Sequence, residues 1–350
     1  MLNRIRKLIK ILLPRGVINK IRKLISIGPF IHHCIFNKTP IPNDIVVNPI
    51  NFCNLNCPLC ARGTNKVNYD NIAMSMGTFK TIIEKMPRLK HITLYHWGEP
   101  FLNPDIFEMI KYAKKRSIQV SIHTNFSLKK NDYFFLKLVQ SKLDFLTVAI
   151  DGASQESYSK YRKGGDFRLV IHNVEALMKA KKHLKSKIPM VMWKFIVNRF
   201  NEKEIGKAQS MARRLGMKFE IEKMGLSDMA PKLKFDTTIE RRKKDWLPKN
   251  KKFVFNYYKN KYKKPFYKRP CDQLFTTLVV NPDGKVFPCC FTTDKNDVFG
   301  DLLADSIENI WNNDKYRYSR SLFGGKKYLN PKIQTICSKC NNFKKVDRQQ

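Results

Sequence analysis

Three cysteines lie close together near the start of the chain, at positions 53, 57 and 60. Cysteine thiolates bind zinc or iron. Structural zinc takes four ligands in a closed tetrahedron, usually as two separated pairs. Three thiolates on one short loop instead suit a [4Fe–4S] cluster that leaves one iron open to another ligand. The segment Cys53–Cys60 therefore favours an open iron–sulfur site, with zinc or structural thiols as the alternative.

A second group of cysteines lies in the C-terminal part of the chain, at positions 271, 289, 290, 337 and 340. Nine cysteines in all, an odd number, are clustered in a long chain without a recognisable secretion signal. This favours metal ligands in a reducing compartment over disulfides. The tight turn Asn281–Gly284 separates two short β-rich runs, 278–280 and 285–287, and predicts a hairpin inside this group.

Strand-like and helix-like patterns alternate between the two groups. Strands are predicted at 45–50, 91–95, 118–123, 145–150, 190–197 and 218–222, and helices at 78–86, 105–115, 132–140, 167–183 and 202–215. This alternation predicts a parallel sheet covered by helices. Six units are fewer than the eight of a closed barrel. The predicted fold class is α/β: a partial (β/α)6 TIM-like barrel with a small C-terminal cysteine-rich β-hairpin/α domain.

Polar residues end several of these strands. The cysteine loop follows the first strand, while Gly98-Glu99-Pro100, Thr124 and Asp151 end the second, third and fourth. Barrels of this class build their active sites at the carboxyl ends of the strands. Asp151 as an ordinary helix N-cap is the alternative. On the fifth strand, Lys194 and Asn198 either point inward or are exposed.

The CxxxCxxC segment after the first strand resembles that of the radical S-adenosylmethionine (SAM) superfamily. Trp97-Gly98-Glu99-Pro100 looks like the GGEP motif of that family. A glycine there lets the backbone approach the methionine part of SAM, because no Cβ intervenes. The resemblance implies that Cys53, Cys57 and Cys60 hold the cluster. It also implies that the open iron binds SAM, whose reductive cleavage gives a 5′-deoxyadenosyl radical that abstracts hydrogen from a substrate.

Two looser matches lie at the ends of the third and fourth strands, Ile122–Asn125 and Ala149–Gly152, and a third, Tyr161–Gly165, follows them in the chain. The resemblance implies that Gly98, Glu99, Thr124 and Asp151 bind the cofactor, and it assigns no catalytic residue. One position departs from the family pattern. The residue before the third cysteine is usually aromatic and packs against adenine, whereas here it is Leu59.

The C-terminal cysteines resemble the first part of a SPASM domain, in its shortened "twitch" form with one auxiliary cluster. The matching pattern runs from Cys271 through Gly284 to Cys289 and then to Cys337-x-x-Cys340. These four cysteines would hold one auxiliary [4Fe–4S] cluster. Cys290 is an alternative to Cys289, although the spacing from Gly284 favours Cys289. A zinc ribbon on the same four thiolates is the structural alternative.

The charge balance and the lack of targeting segments limit the classes of partner and the locations that we expect. Lys and Arg total 67 against 29 Asp and Glu, which invites an anionic partner but also fits an AT-rich coding bias. No apolar run is long enough to span a membrane. Residues 1–27 read as basic amphipathic helices, compatible with peripheral contact to an anionic membrane. We expect a cytoplasmic protein without a nucleic-acid partner, and peripheral contact with the inner face of the membrane is compatible with this location.

These patterns divide the chain into a basic extension (1–44), a radical SAM core (45–227), a basic aromatic-rich linker (228–270) and an iron–sulfur domain (271–350). The expected function is that of an oxidoreductase-type radical SAM enzyme with a flavodoxin- or ferredoxin-type reductant. The expected substrate is a sugar, a polyol or a nucleotide-linked sugar, undergoing dehydrogenation or epimerisation. One alternative is a maturase that modifies a peptide or protein. The other is a non-enzymatic cysteine–metal module that binds nucleic acid or membrane.

Overall fold

Six β/α units form the main body of the chain. The structure, a computed structural model, describes residues 38–65, 67–224, 244–254, 271–323 and 333–340, together with residues 29 and 32. The strands are β1 (Asp44–Val47), β2 (His91–Leu94), β3 (Gln119–Thr124), β4 (Phe145–Ala149), β5 (Met190–Val197) and β6 (Lys218–Lys223). The helices are α1 (Met76–Glu84), α2 (Ile106–Lys115), α3 (Asp132–Gln140), α4 (Gln155–Tyr161), α5 (Phe167–His183) and α6 (Ile205–Arg214).

The C-terminal part adds three short strands and three short helices. They are α7 (Asp272–Thr276), β7 (Leu278–Val280), β8 (Lys285–Phe287), β9 (Gly300–Asp301), α8 (Ile307–Trp311) and α9 (Asp314–Ser321). All nine strands belong to one sheet in the order β6-β5-β4-β3-β2-β1-β7-β8-β9. Strands β1 to β6 are parallel, β7 joins β1 in parallel, and β8 and β9 are antiparallel. The C-terminal hairpin therefore continues the main sheet and covers what would otherwise be the open edge of β1.

The two faces of the parallel strands differ in burial. Along β2 to β5, every second residue is fully buried against the helices, as at Ile92, Val120, Leu146 and Val191. The residues between them are only half-buried and include many polar side chains. We call this second face the inner face. The sheet does not close, because β6 and β9 are its outer strands; this is the partial barrel that the sequence predicts.

The sequence-based elements agree with the structure within a few residues. The predicted helix at 202–215 divides into a 3-10 turn, Glu202–Glu204, followed by α6. Helix α4 was not predicted. The amphipathic extension and most of the basic linker lie outside the described residues, so the proposed domain division stays a prediction. Among the described residues, none of the helices has the length and apolar character needed to cross a membrane.

Candidate functional site: two cysteine centres at the strand ends

The first cysteine group lies on the loop that follows β1. Cys57 is buried, whereas Cys53 and Cys60 are half-buried. The amide of Cys60 donates to the carbonyl of Cys57 at 3.1 Å, and the amide of Leu55 donates to the Cys53 Sγ at 3.4 Å. The loop is thus a compact turn after β1, and its three thiols lie within electrostatic reach of one another.

Gly98 packs directly against this loop. A Cβ at Gly98 would lie 1.9 Å from the carbonyl oxygen of Ile50 and 2.8 Å from that of Phe52. The next amide, that of Glu99, donates to the Phe52 carbonyl at 3.0 Å. The structure therefore gives a different reason for this glycine from the one inferred from the sequence. Its missing side chain makes room for the cysteine loop, and that contact ties the loop to the end of β2.

Glu99 joins the ends of β2 and β3. Its carboxylate is buried and accepts hydrogen bonds from the Thr124 hydroxyl at 2.6 Å, the Asn125 amide at 2.8 Å and the Phe101 amide at 3.2 Å. Burial raises the pKa of Glu99, and these hydrogen bonds oppose the shift. The structure thus brings Glu99 and Thr124 together, and their polar groups form a hydrogen bond with each other. Direct contact of either with the cofactor stays a prediction.

Asn125 links this network to the cysteines. Its side-chain amide donates to the Cys53 Sγ at 3.5 Å and to the Asn54 side chain at 2.9 Å. The segment around Asn125 stood out in the sequence, but no role was assigned to this residue. Its contact with Cys53 spans 72 positions in the chain. Only the ordering of the two loops by the sheet creates this contact.

Asp151 forms a buried ion pair with Arg162. The Arg162 Nε donates to one carboxylate oxygen at 2.6 Å, and the amide of Ile196 donates to the other at 2.6 Å. The N-cap of α4 is Ser154, so the alternative of Asp151 as a helix cap is wrong. Asp151 holds Arg162 in place, and an Arg162 Nη lies 3.9 Å from the Cys57 Sγ. The sequence analysis names Arg162 only as part of the segment Tyr161–Gly165 and gives it no role, whereas in the structure its positive charge faces the cysteine loop.

Burial favours the neutral thiols of Cys53 and Cys57 in the absence of a metal ion. It raises the pKa of Cys53 to about 12, and it also raises the pKa of Cys57 against the lowering effect of Arg162. Iron supplies the positive charge that such thiols need to ionise. The three thiols fit a cluster, and the Arg162 guanidinium fits the carboxylate of SAM.

The second cysteine group is brought together at the start of α7, after β8 and in the segment at 337–340. Burial raises the pKa of Cys289, and the thiols of Cys290, Cys337 and Cys271 add to the shift. Burial also raises the pKa of Cys271 to about 12, with a contribution from Cys340. The four predicted ligands thus lie within electrostatic reach of one another, although they come from segments far apart in the chain.

Cys290 lies on the barrel side of this group. The Cys290 carbonyl accepts a hydrogen bond from the His96 Nε2 at 2.8 Å. Burial raises the pKa of Tyr95 to about 12, and the next contribution to that shift is the thiol of Cys290. We therefore propose Cys289 as the ligand, together with Cys271, Cys337 and Cys340.

Across the described ranges, no three His, Cys, Asp or Glu side chains form a site for a single metal ion.

The inner face beside the first cysteine group is polar. The rings of Tyr95 and His123 stack with 4.4 Å between centroids, and the Lys194 Nζ lies 3.2 Å from a Glu222 carboxylate oxygen. Burial lowers the pKa of His123 to about 4, and Lys194 adds to the shift. The imidazole is therefore neutral at neutral pH. Of the two residues predicted on β5, Lys194 points to this face, whereas Asn198 is fully buried in the turn that follows.

Comparison with known proteins decides the family. The model of the radical SAM superfamily matches residues 47–196, and that of the iron–sulfur cluster-binding SPASM domain matches residues 271–341. The chain is a radical SAM enzyme with a C-terminal SPASM domain. The two matches contain the two cysteine groups, one each. The family brings [4Fe–4S] clusters and SAM as cofactors. The alternative of a non-enzymatic cysteine–metal module is thereby excluded.

Several named proteins are similar to this radical SAM enzyme. The mycofactocin maturase MftC of Mycobacterium tuberculosis is 22% identical over 304 residues, which is 83% of this chain and 73% of MftC. The AdoMet-dependent heme synthase of Methanosarcina barkeri is 30% identical over 166 residues, 47% of this chain. That match spans only 45% of the heme synthase.

Solved structures share the fold. SuiB of Streptococcus suis bound to S-adenosylmethionine superposes with a TM-score of 0.62 and 14% identity, covering 98% of this chain and 81% of SuiB. The protein anSMEcpe with bound AdoMet gives a TM-score of 0.58 and 16% identity, covering 87% of this chain and 90% of its own. At these identities the likeness concerns the fold, and it confirms the α/β partial barrel.

When bound, the cluster and SAM would supply one kind of chemistry, the reductive cleavage of SAM to a primary carbon radical. We propose that Cys53, Cys57 and Cys60 hold the cluster to which SAM binds. Asn125 orients Cys53 through the hydrogen bond to its sulfur, and Arg162, fixed by Asp151, holds the SAM carboxylate. Glu99 keeps the two strand ends together. These contacts fix the reacting groups in place and reduce the space left for water.

Proposed function

We propose that this radical SAM enzyme modifies a peptide or protein substrate that reaches the inner face of the open barrel. The observation that carries the proposal is the similarity to the mycofactocin maturases, which runs over 304 residues and 83% of this chain. A match of that length extends beyond the region of either family model alone. The heme synthase match, by contrast, spans less than half of this chain.

The solved structures support the same substrate class. SuiB bound to its precursor peptide SuiA has a TM-score of 0.58 with this chain. The anSMEcpe structure with bound AdoMet and a peptide has a TM-score of 0.57. Both are peptide complexes of the same fold. They support the peptide alternative better than the sugar or polyol that the sequence first favoured.

The chemistry of the inner face is compatible with a peptide. Tyr95 and His123 are both neutral at neutral pH, and neither ring has a hydrogen-bond partner within the described part of the chain. A phenol and a neutral imidazole can donate to and accept from backbone amides. The Lys194–Glu222 pair balances its own charge. The described part of this face therefore offers hydrogen bonds and little net charge, whereas a phosphorylated sugar would require unpaired cations.

The basic aromatic-rich linker (228–270) would suit a nucleotide-linked sugar, because Lys and Tyr side chains can contact phosphates and rings. Most of this linker lies outside the described residues, and its described part packs against the barrel. The Trp246 carbonyl accepts from the Arg199 amide at 3.1 Å, and its ring packs against Tyr161 and Phe200 at 5.6 and 5.4 Å between centroids. This part of the linker thus packs against the end of α4 and the turn after β5.

Anaerobic turnover tests the proposal. The reconstituted enzyme, with dithionite and SAM, is offered a panel of acidic and neutral peptides and a panel of nucleotide sugars. Mass spectrometry follows both the products and 5′-deoxyadenosine. We expect a mass change in a peptide that is coupled to 5′-deoxyadenosine formation. Coupled turnover of sugars alone would overturn the substrate class while leaving the family assignment intact.

Two variants locate the substrate on the inner face. Replacing His123 by Ala removes a neutral hydrogen-bonding group beside Tyr95, and we expect it to raise the KM for the peptide. His91→Ala is the matched control, because His91 lies on the same face at the other end of β2 and bonds Asp44 and Ser121. Iron content and uncoupled SAM cleavage should stay unchanged in both variants. Equal effects on KM would show that the peptide does not contact this end of the sheet.

A further inference from the structure

Helix α9 turns one face toward the auxiliary cysteines. Tyr316, Ser319 and Arg320 follow helical i, i+3, i+4 spacing and therefore share a side of the helix. All three are fully buried, with 0% of their surfaces exposed. The hydroxyls of Ser319 and Thr335 reach the thiol of Cys337 and oppose the rise in its pKa, to about 12, that burial causes. This face thus adjoins one of the four proposed ligands.

Tyr316 has a buried hydroxyl with no hydrogen-bond partner among the described residues. Its ring is held between Phe299 and Trp311, at 4.9 and 4.7 Å between centroids, so the hydroxyl cannot turn away to solvent. Burial raises the pKa of Tyr316. Arg320 opposes the shift, while the thiols of Cys337 and Cys289 add to it. An orphaned donor beside two cluster ligands calls for an acceptor, and a sulfur atom of the cluster meets that need.

Arg320 carries a buried positive charge on the same face. Its Nε donates to the Leu274 carbonyl at 2.8 Å and its Nη1 to the Trp311 carbonyl at 2.7 Å, while Nη2 has no partner in the described ranges. No carboxylate of the described residues pairs with it. Burial lowers the pKa of Arg320 to about 9, so the guanidinium is still charged at neutral pH. The guanidinium also lies over the Trp311 and Tyr316 rings, 4.4 and 4.8 Å from their centroids. These rings offset part of the cost of burying the charge, and a nearby anion would offset more.

These two orphaned groups point to one explanation. A [4Fe–4S] cluster with four thiolates is anionic, and it becomes more negative when it gains an electron. Hydrogen bonds to its sulfurs and nearby positive charge therefore stabilise the reduced form more than the oxidised form. We propose that Tyr316 and Arg320 set the reduction potential of the auxiliary cluster, raising it so that the cluster accepts an electron more readily. The inference rests on the ligand assignment proposed above for Cys271, Cys289, Cys337 and Cys340.

The test is a redox titration of the auxiliary cluster by itself. The full-length chain with Cys53, Cys57 and Cys60 all replaced by Ala serves as the parent, and electron paramagnetic resonance reports the reduced fraction. In this parent, Tyr316→Phe removes only the hydroxyl. At a fixed potential we expect the ratio of reduced to oxidised cluster to fall about tenfold, which corresponds to a midpoint lower by about 59 mV for one electron. Arg320→Met should lower the ratio in the same direction, and Arg320→Lys should restore most of it.

Tyr318→Phe is the matched control. Tyr318 lies on the same helix, half-exposed and two positions away from Tyr316. The midpoint potential of the auxiliary cluster in this variant should therefore equal that of the parent. If Arg320→Met fails to fold, Tyr316→Phe decides alone. The inference would be overturned if, at the same fixed potential, the ratio of reduced to oxidised cluster differed by less than twofold between Tyr316→Phe and Tyr318→Phe. A parent that binds no iron would instead show that the ligand assignment is wrong, and the inference would fail with it.

Discussion

Gly98→Ala adds one methyl group at the contact between the cysteine loop and the end of β2. The added Cβ would lie 1.9 Å from the Ile50 carbonyl oxygen, where ordinary van der Waals contact begins at 3.4 Å. The obstacle is backbone rather than the end of a flexible side chain. Ile50 is fully buried, so the loop has to move as a unit. Such overpacking costs roughly 1–3 kcal/mol and sometimes more, and we expect a loss of about 3 kcal/mol here because the backbone cannot yield locally.

The same loop carries Cys53, Cys57 and Cys60, so the displacement should also reach the cluster. We expect the reconstituted variant to bind about four iron atoms per chain instead of about eight, because the auxiliary site is untouched. The free energy of unfolding is measured on the cluster-free chain by urea titration. Iron and sulfide are measured after anaerobic reconstitution. The two readouts separate strain in the fold from loss of the cluster.

Gly206→Ala is the matched control. Gly206 lies in α6, and a Cβ there meets nothing within 4 Å. Replacing a helical glycine by alanine should stabilise the chain by about 0.5–1 kcal/mol, with full iron content. The two substitutions are chemically identical and should act in opposite directions. If Gly98→Ala matched Gly206→Ala in both stability and iron, the account of how Gly98 positions the loop would be refuted.

Three further predictions concern individual side chains. Cys289→Ser should reduce the iron content by about four atoms per chain, whereas Cys290→Ser should leave it unchanged; the reverse pattern would exchange the two residues as ligand. Asp151→Asn leaves Arg162 without its counter-charge, and urea unfolding should show a loss of about 3–5 kcal/mol; a loss well below 1 kcal/mol would contradict the buried ion pair. Burial lowers the pKa of His96 from 6.5 to about 4. As the pH falls, the unfolded chain is therefore protonated at this residue before the folded chain is. The stability of the cluster-free chain should therefore fall by about 3 kcal/mol as the pH drops through this interval. His96→Gln should flatten that part of the pH profile, and an unchanged slope would count against a buried neutral imidazole.

Much of the fold could be predicted from the sequence, because apolar periodicity reports local structure. Strands β2 and β5 were predicted within one residue, and so was the hairpin of β7 and β8. The pairing of β7 with β1 was not predicted. It depends on which strand edge is left open after the six units are assembled, and no local pattern encodes that choice.

The candidate site divides in the same way. The spacing of Cys53, Cys57 and Cys60 and the position of Gly98 were visible in the sequence. The contacts of Asn125 and Arg162 with the cysteines were not, since they cross 72 and 105 positions of the chain. Glu99 and Asp151 were singled out as cofactor-binding residues, which stays a prediction, and the structure shows them anchoring neighbouring side chains. A sequence motif thus indicates which residues matter more readily than it indicates what each one touches.

The most direct test of the central claim is a combined measurement on the anaerobically reconstituted chain: iron and sulfide content together with dithionite-driven formation of 5′-deoxyadenosine from SAM. Two clusters predict about eight irons per chain and cleavage of SAM. The variant with Cys53, Cys57 and Cys60 replaced by Ala should retain about four irons and lose cleavage. Zinc in place of iron, with no 5′-deoxyadenosine from the intact chain, would contradict the account.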